Sequence, residues 1–287
     1  MIAAALLALA AAACFALGQV TIQFGLRTVP SWRSPLYSIG GSAVLAWIFA
    51  LALVDFRQLH LEAAAIFAGV GLIFPVAVSM LSVRANEHLG PAVASAVGNV
   101  APVFAVLGAV VFLGERPGMG QLAGLAMVVG GVVLLALRGG SGGRQWPVWI
   151  LALPLSAALI RGAIQPAIKT ALALWHEPLA AAAIGYTSST IVILMIVGRR
   201  AWRTGPADRK GVLWFSLVGL FNGAATFLLY AALGLGPITL VAPLVALFPL
   251  LAVVLSLIFL RGERLPLIGL LGIVTCAAGV IVLLLAR

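Results

Sequence analysis

Acidic residues are scarce in this chain. Seven Asp and Glu stand against seventeen Lys and Arg in 287 residues, and charged residues of both signs make up only 8%. A soluble domain carries about 25% charged and about 45–50% apolar residues. Here 63% of residues are hydrophobic and mean hydropathy is +1.21, which excludes a soluble globular fold. Cysteine is nearly absent. Cys14 and Cys276 both fall inside apolar segments without a CxxC or Cys/His spacing, so they read as inert small hydrophobes. His60, His88 and His176 lie in or near loops and share no ligand spacing, so no metal and no cofactor is expected. There is also no paired Asp, no HExxH and no His near a buried Ser, which leaves an intramembrane enzyme without its chemistry.

What the chain has instead is a succession of long apolar runs. Ten candidate helices span about 2–26, 36–54, 61–83, 92–113, 120–137, 148–174, 178–198, 211–233, 239–260 and 267–285. Such runs approach the roughly 20 residues that cross a bilayer's hydrocarbon core. They are too long and too apolar for barrel strands, so helices must satisfy the backbone in lipid. The N-terminus lacks a basic n-region and its first run exceeds a usual h-region, so no cleavable signal is expected. Trp32, Trp146, Trp149, Trp175, Trp202 and Trp214 lie at or near segment ends, where the membrane interface favours them; Trp47 is the exception. The formal charge of +10 resides mostly in short loops and is not a nucleic-acid footprint.

The flexible stretch Arg138 to Arg144, with Gly-Gly-Ser-Gly-Gly between, divides the chain. Residues 1–138 form a first five-helix repeat, 139–147 a Gly-rich linker and 148–287 a second repeat. The halves share landmarks. Leu89-Gly90-Pro91, Pro102, Gly114-Glu115-Arg116, Gly124 and Gly131 match Leu235-Gly236-Pro237, Pro249, Gly262-Glu263-Arg264, Gly272 and Gly279, with one small insertion. An odd helix count per repeat inserts the halves in opposite senses. The expected fold is therefore an all-α polytopic membrane protein with ten transmembrane helices as two inverted five-helix repeats, a design that places substrate near the midplane. The loops after segments 1, 3, 5, 7 and 9 hold most of the Lys and Arg, which puts them in the cytoplasm and both termini outside.

These paired Gly-Pro, Pro, Gly-Glu-Arg and glycine series resemble the drug/metabolite transporter superfamily, specifically its ten-helix EamA-type members, over essentially the whole chain. The resemblance implies a secondary transporter, often an exporter of amino acids or other metabolites. Many ten-helix relatives are drawn with cytoplasmic termini, the opposite of the charge-based orientation. The expected location is a bacterial-type inner membrane, crossed several times.

Arg161 is the most informative single residue. It sits near the middle of an apolar stretch from about Val148 to Leu174 that contains no acid. A guanidinium at that depth normally faces a bundle interior or wet cavity and has a partner. The other apolar segments offer no carboxylate at comparable depth, so the ligand itself is the candidate partner, held by bidentate contact. A structural use, capping carbonyls of a helix broken near Pro166, is the competing reading. Superposing segment 1 on segment 6 places Gln19 on Arg161, Gln23 on Gln165 and Arg27 on Lys169. Spacing of four puts each set on one helix face, and under pseudo-two-fold symmetry both faces would line one cavity. Arg27 and Lys169 read as interfacial snorkelers, and the glutamines serve equally well as interhelical hydrogen-bond partners. Further polar candidates are Ser79, Asn99, Tyr186, Asn222, Thr226 and Tyr230. Pro75, Pro102, Pro166, Pro243 and Pro249 lie within segments, where proline bends a helix. Glu115 and Glu263, each before an Arg, read as interfacial ion pairs that orient turns.

The function expected from these residues is secondary transport of a small zwitterionic or anionic metabolite. Amino acids in the export direction are favoured, moved by alternating access in a monomer within the lipid bilayer. A flippase or exporter for an anionic lipid-linked or phosphorylated metabolite, and a passive channel, are the alternatives. With no acid or His at membrane depth, a facilitator or exchanger is expected rather than strict proton coupling.

Overall fold

The structure is a computed structural model and describes residues 1–30, 32–89, 97–137, 147–205, 207–259 and 267–286. Among these there are helices and no strands. They are α1 (Ile2–Gly25), α2 (Ser34–Leu53), α3 (Leu61–Ile73), α4 (Val76–Leu89), α5 (Ala101–Leu113), α6 (Met119–Leu137) and α7 (Ala152–Leu174). After these come α8 (Pro178–Ile193), α9 (Arg199–Arg203), α10 (Arg209–Leu235), α11 (Ile238–Val245), α12 (Phe248–Phe259) and α13 (Leu267–Leu285). A π-helical stretch, Leu194–Gly198, joins α8 to α9 as one rod. Six helical rods are long and apolar enough to cross a membrane: Ile2–Ile22, Ser34–Leu53, Leu61–Ser82, Trp149–Leu174, Pro178–Arg203 and Arg209–Leu235. Shorter apolar helices, Ala101–Leu113, Met119–Leu134, Ile238–Ala252 and Leu271–Leu285, occupy the other four expected segments. The polytopic helical class is as expected. Ser95, Glu263 and the Gly-rich linker up to residue 146 lie outside the described residues.

The chain forms two compact units. The first contains Met1–Val76 and Ala167–Leu235, the second Ala77–Pro166 and Gly236–Arg287. Each sequence half therefore contributes to both.

In the first unit many small residues are buried at helix contacts, because lipid tails give little hydrophobic reward for hiding Leu and close backbone approach favours packing; Phe67, Phe215, Leu172 and Leu233 are buried among them. Ala4, Ala8, Ala11, Ala12 and Ala16 form the buried face of α1, which packs on α10. Val44, Ile48, Leu51, Met195 and Leu213 are exposed. Polar groups bridge the helices within this unit. Ser42 Oγ donates to the Gly219 carbonyl at 2.8 Å, and Trp47 Nε1 to Thr187 Oγ1 at 2.7 Å, which accounts for a tryptophan deep in a span. Ser189 Oγ donates to the Gly71 carbonyl at 2.7 Å. A side chain on Gly71 would collide with the Gly185 backbone, so α3 and α8 meet where neither has a Cβ.

In the second unit α6 and α13 cross through glycine. A Cβ on Gly124 would meet the Gly279 carbonyl at 2.9 Å, and one on Gly131 would meet the Gly272 carbonyl at 2.8 Å. The two helices are antiparallel, since the earlier glycine of one meets the later glycine of the other. Cys276 is buried here and donates to the Val128 carbonyl at 3.6 Å.

Proline acts more sharply than a bend at three of its five intraspan positions. The chain leaves helical geometry at Phe74 (ψ 164°), just before Pro75, and α4 then resumes. It turns at Asn99–Val100 before α5, whose second residue is Pro102. It turns again at Ala246–Leu247 before α12, whose second residue is Pro249. Pro102 and Pro249 enter in the first turn of the new half-helix and Pro75 just ahead of it, where the missing N–H is not needed. Pro166 and Pro243 stay inside α7 and α11.

Candidate functional site

Two repeat-related breaks, at Asn99–Val100 and Ala246–Leu247, fall within the second unit. Each lies at the same distance before its proline. A helix interrupted at membrane depth leaves backbone donors at the new N-terminus, where the partial charge is positive. Val100 caps α5 without any side-chain hydrogen bond. At the breaks much of this need is met locally: the Val100 amide donates to the Val97 carbonyl at 3.3 Å and the Leu247 amide to the Leu244 carbonyl at 3.2 Å.

α7 runs along α5 at this level. A Cβ on Gly162 would meet the Ala101 carbonyl and the Ala105 amide, both at 2.8 Å, and Pro166 Cγ lies 2.9 Å from a Cβ built on Gly108. Arg161 and Gln165 flank this contact on α7, near the start of α5 that Asn99 precedes. Gln165 is buried with Oε1 unpaired, and Asn99 is buried with Nδ2 unpaired. Arg161 is half-buried near the centre of the 26-residue span Trp149–Leu174, and makes no hydrogen bond or ion pair among the described residues. Its central charge costs about 3 kcal/mol on insertion scales. Each unpaired buried amide atom adds about 1–3 kcal/mol. Asn99 Nδ2 is thus an unpaired donor and Gln165 Oε1 an unpaired acceptor, the latter one helical turn from Arg161 on α7. Ser79, also in this unit, is half-buried on α4.

The other candidates lie in the first unit. Tyr186 Oη donates to the Asn222 carbonyl at 3.1 Å and pairs with Thr226 Oγ1 at 2.7 Å. Both side chains are buried, as is Tyr230. With Val70, Phe74 and Pro75 they line a cavity whose space for the centre of a water-sized sphere is about 10 Å³. That is room for one water molecule, far short of a metabolite. Asn222 turns its Oδ1 toward Gly18, and Gln19 is exposed; the Gln23 side chain lies outside the described set. Of the polar set predicted along α1 and α10, Thr226 and Tyr230 are buried beside Tyr186 and Gln19 is exposed.

Glu115 has a role the local sequence does not reveal. Its Oε1 accepts from the Ile238 amide at 2.9 Å and its Oε2 from the Thr239 amide at 3.1 Å, capping α11 from 123 and 124 residues away. Beside the expected role at its own turn, the carboxylate therefore serves a helix N-terminus, where both oxygens meet otherwise orphaned donors. The signal lay in the paired Gly-Pro and Gly-Glu-Arg landmarks, which mark the two ends of this contact.

All-helical construction, several membrane-length apolar rods and charge withheld from their surfaces define a multi-pass membrane protein. The chain belongs to the EamA-like transporter family, whose model matches twice, over residues 2–137 and 148–285. It is 30% identical over 198 residues to a protein named "Probable terminal-alkyne amino-acid exporter" from Streptantibioticus cattleyicolor, a match covering 68% of this chain. The chain spans 65% of the length of that curated relative. An "Uncharacterized transporter in cobO 3'region" from Sinorhizobium sp is 35% identical over 100 residues, covering 33% of this chain and 70% of that protein. A crystal structure superposes with a TM-score of 0.84 at 17% identity, covering 99% of this chain and 97% of the other; it establishes a shared fold.

Proposed function

We propose that this transporter moves a small zwitterionic or anionic metabolite, with amino acids in the export direction as the substrate class. Arg161 binds the carboxylate. The observation that carries the reading is a guanidinium at the centre of an apolar span that has no hydrogen bond or ion pair among the described residues. Its natural complement is an acid that arrives with the substrate, because a bidentate carboxylate offsets the cost of an isolated charge. The Asn99 amide adds a donor to the same carboxylate, and the Gln165 carbonyl accepts from an α-ammonium. The exporter named among its relatives adds support for an amino-acid substrate.

The architecture we propose is ten spans in two inverted five-helix repeats, residues 1–138 and 148–287 about the linker 139–147. The twofold family match supports duplication. Inversion is supported by the glycine crossing. Gly124 and Gly272 are repeat equivalents, as are Gly131 and Gly279, and the contacts pair Gly124 with Gly279 and Gly131 with Gly272. Such reciprocal pairing is what a two-fold axis produces. Alternating access follows from hinging at the proline breaks, in a facilitator or exchanger of an inner membrane.

The test is exchange in proteoliposomes with a panel of labelled amino acids and organic anions. Saturable, trans-stimulated flux of a carboxylate compound, lost in Arg161→Gln, is expected. Flux that neither saturates nor responds to internal substrate would replace the carrier with a channel.

A further inference from the structure

Seven basic residues crowd one end of the first unit. Arg27 and Arg33 lie between α1 and α2, and Arg199, Arg200, Arg203, Arg209 and Lys210 lie from α9 into α10. Asp208 is the one acid within those two segments. Arg33 locks them together: Nη2 donates to the Gly205 carbonyl at 2.6 Å and Nη1 to Thr204 Oγ1 at 3.4 Å. A cluster of Val29, Phe215 and Val218 beneath, with Tyr37 and Ala207 packed on it, makes the junction a built surface rather than two loose loops. Aromatic rings brace the cations. The Arg200 guanidinium lies 4.3 Å from the Trp32 ring centroid, and Arg27 lies 5.7 Å from that of Phe24, which itself stacks on Trp214 at 5.1 Å. Arg33 is 9% exposed, yet its Nε has no hydrogen-bond partner. Trp202, 88% exposed between Arg200 and Arg203, is an amphipathic ring placed as at a headgroup boundary.

Seven like charges at one helix-bundle end repel one another unless something anionic sits among them. Six of the seven are arginine, whose planar fork matches phosphate bidentately. The rings hold Arg200 and Arg27 in fixed positions, so less side-chain freedom is lost on binding. Exposed tryptophan and packed apolar residues alongside favour a phosphate that comes with an acyl chain.

We propose that this end of the first unit is a binding site for an anionic phospholipid. Its phosphodiester is held by Arg200 and Arg203, with Trp202 at the headgroup level. The site uses none of the residues proposed for the substrate and does not depend on what is transported.

The test uses the full chain in neutral detergent, titrated with phosphatidylglycerol or phosphatidylcholine while thermal unfolding is followed. Phosphatidylglycerol should raise the Tm at concentrations where phosphatidylcholine does not, and high salt should abolish the difference. In Arg200→Gln/Arg203→Gln the effective affinity for phosphatidylglycerol should fall about thirtyfold, from about 1 kcal/mol per basic residue near anionic lipid. Three results would overturn the proposal: equal stabilisation by both lipids, an undiminished phosphatidylglycerol effect in the double variant, or the same effect from inorganic phosphate alone. Should the double variant not fold, the salt titration of the wild type decides by itself.

Discussion

Arg161 and Gln165 separate a ligand-holding role from a packing role. Replacing Arg161 with Gln should lower kcat/KM for a carboxylate substrate about thirtyfold or more, since a lost buried charge contact costs about 2–5 kcal/mol. Arg161→Lys should recover part of this, keeping the charge but not the fork. Gln165→Leu should leave the Tm unchanged or raise it, because an unpaired buried carbonyl is removed. The same variant should lower exchange severalfold; loss of both together would make Gln165 a packing residue. Arg161 could be found in the sequence because a guanidinium at the centre of a long apolar run has no acid in that run to pair with. The pairing of Tyr186 with Thr226 could not, since the two sit on different helices and hydroxyls at four-residue spacing fit a cavity face and a packing face equally.

Helices were legible where hydropathy alone sets them, and the described ends of the first, second, sixth, eighth and tenth segments agree within a few residues with the span length a bilayer sets. The breaks at Phe74, at Asn99–Val100 and at Ala246–Leu247 were not. Proline announces a lost hydrogen bond, but whether the rod bends or stops depends on what neighbours supply to the freed groups. The paired glycines were legible from the repeat, and their contacts make them sensitive. Gly131→Val would push into the Cys276 backbone and the Gly272 carbonyl, and should destabilise by about 1–3 kcal/mol, read as a lower Tm in detergent. Glu115→Ala removes the acceptors for Ile238 and Thr239 and should cost about 1 kcal/mol, while Glu115→Gln, which keeps one acceptor oxygen, should cost less. Equal loss in both variants would mean that the charge, rather than the cap, carries the effect.

For the whole molecule, the division into compact units cuts across the division into repeats, because each half contributes residues to each unit. Sequence similarity between halves marks duplication and is blind to how duplicated pieces pack. Acids are confined to segment ends and loops, so the wild type should show exchange in vesicles without a pH gradient and no stoichiometric proton counterflux, measured with an internal pH dye. The central claim is that Arg161 recognises the substrate's carboxylate. It is tested most directly by equilibrium binding of a transported amino acid and of its uncharged carboxamide to wild type and to Arg161→Gln. The account predicts that wild type prefers the acid strongly and that the variant binds acid and amide alike. An undiminished preference for the acid in a folded Arg161→Gln protein would contradict it.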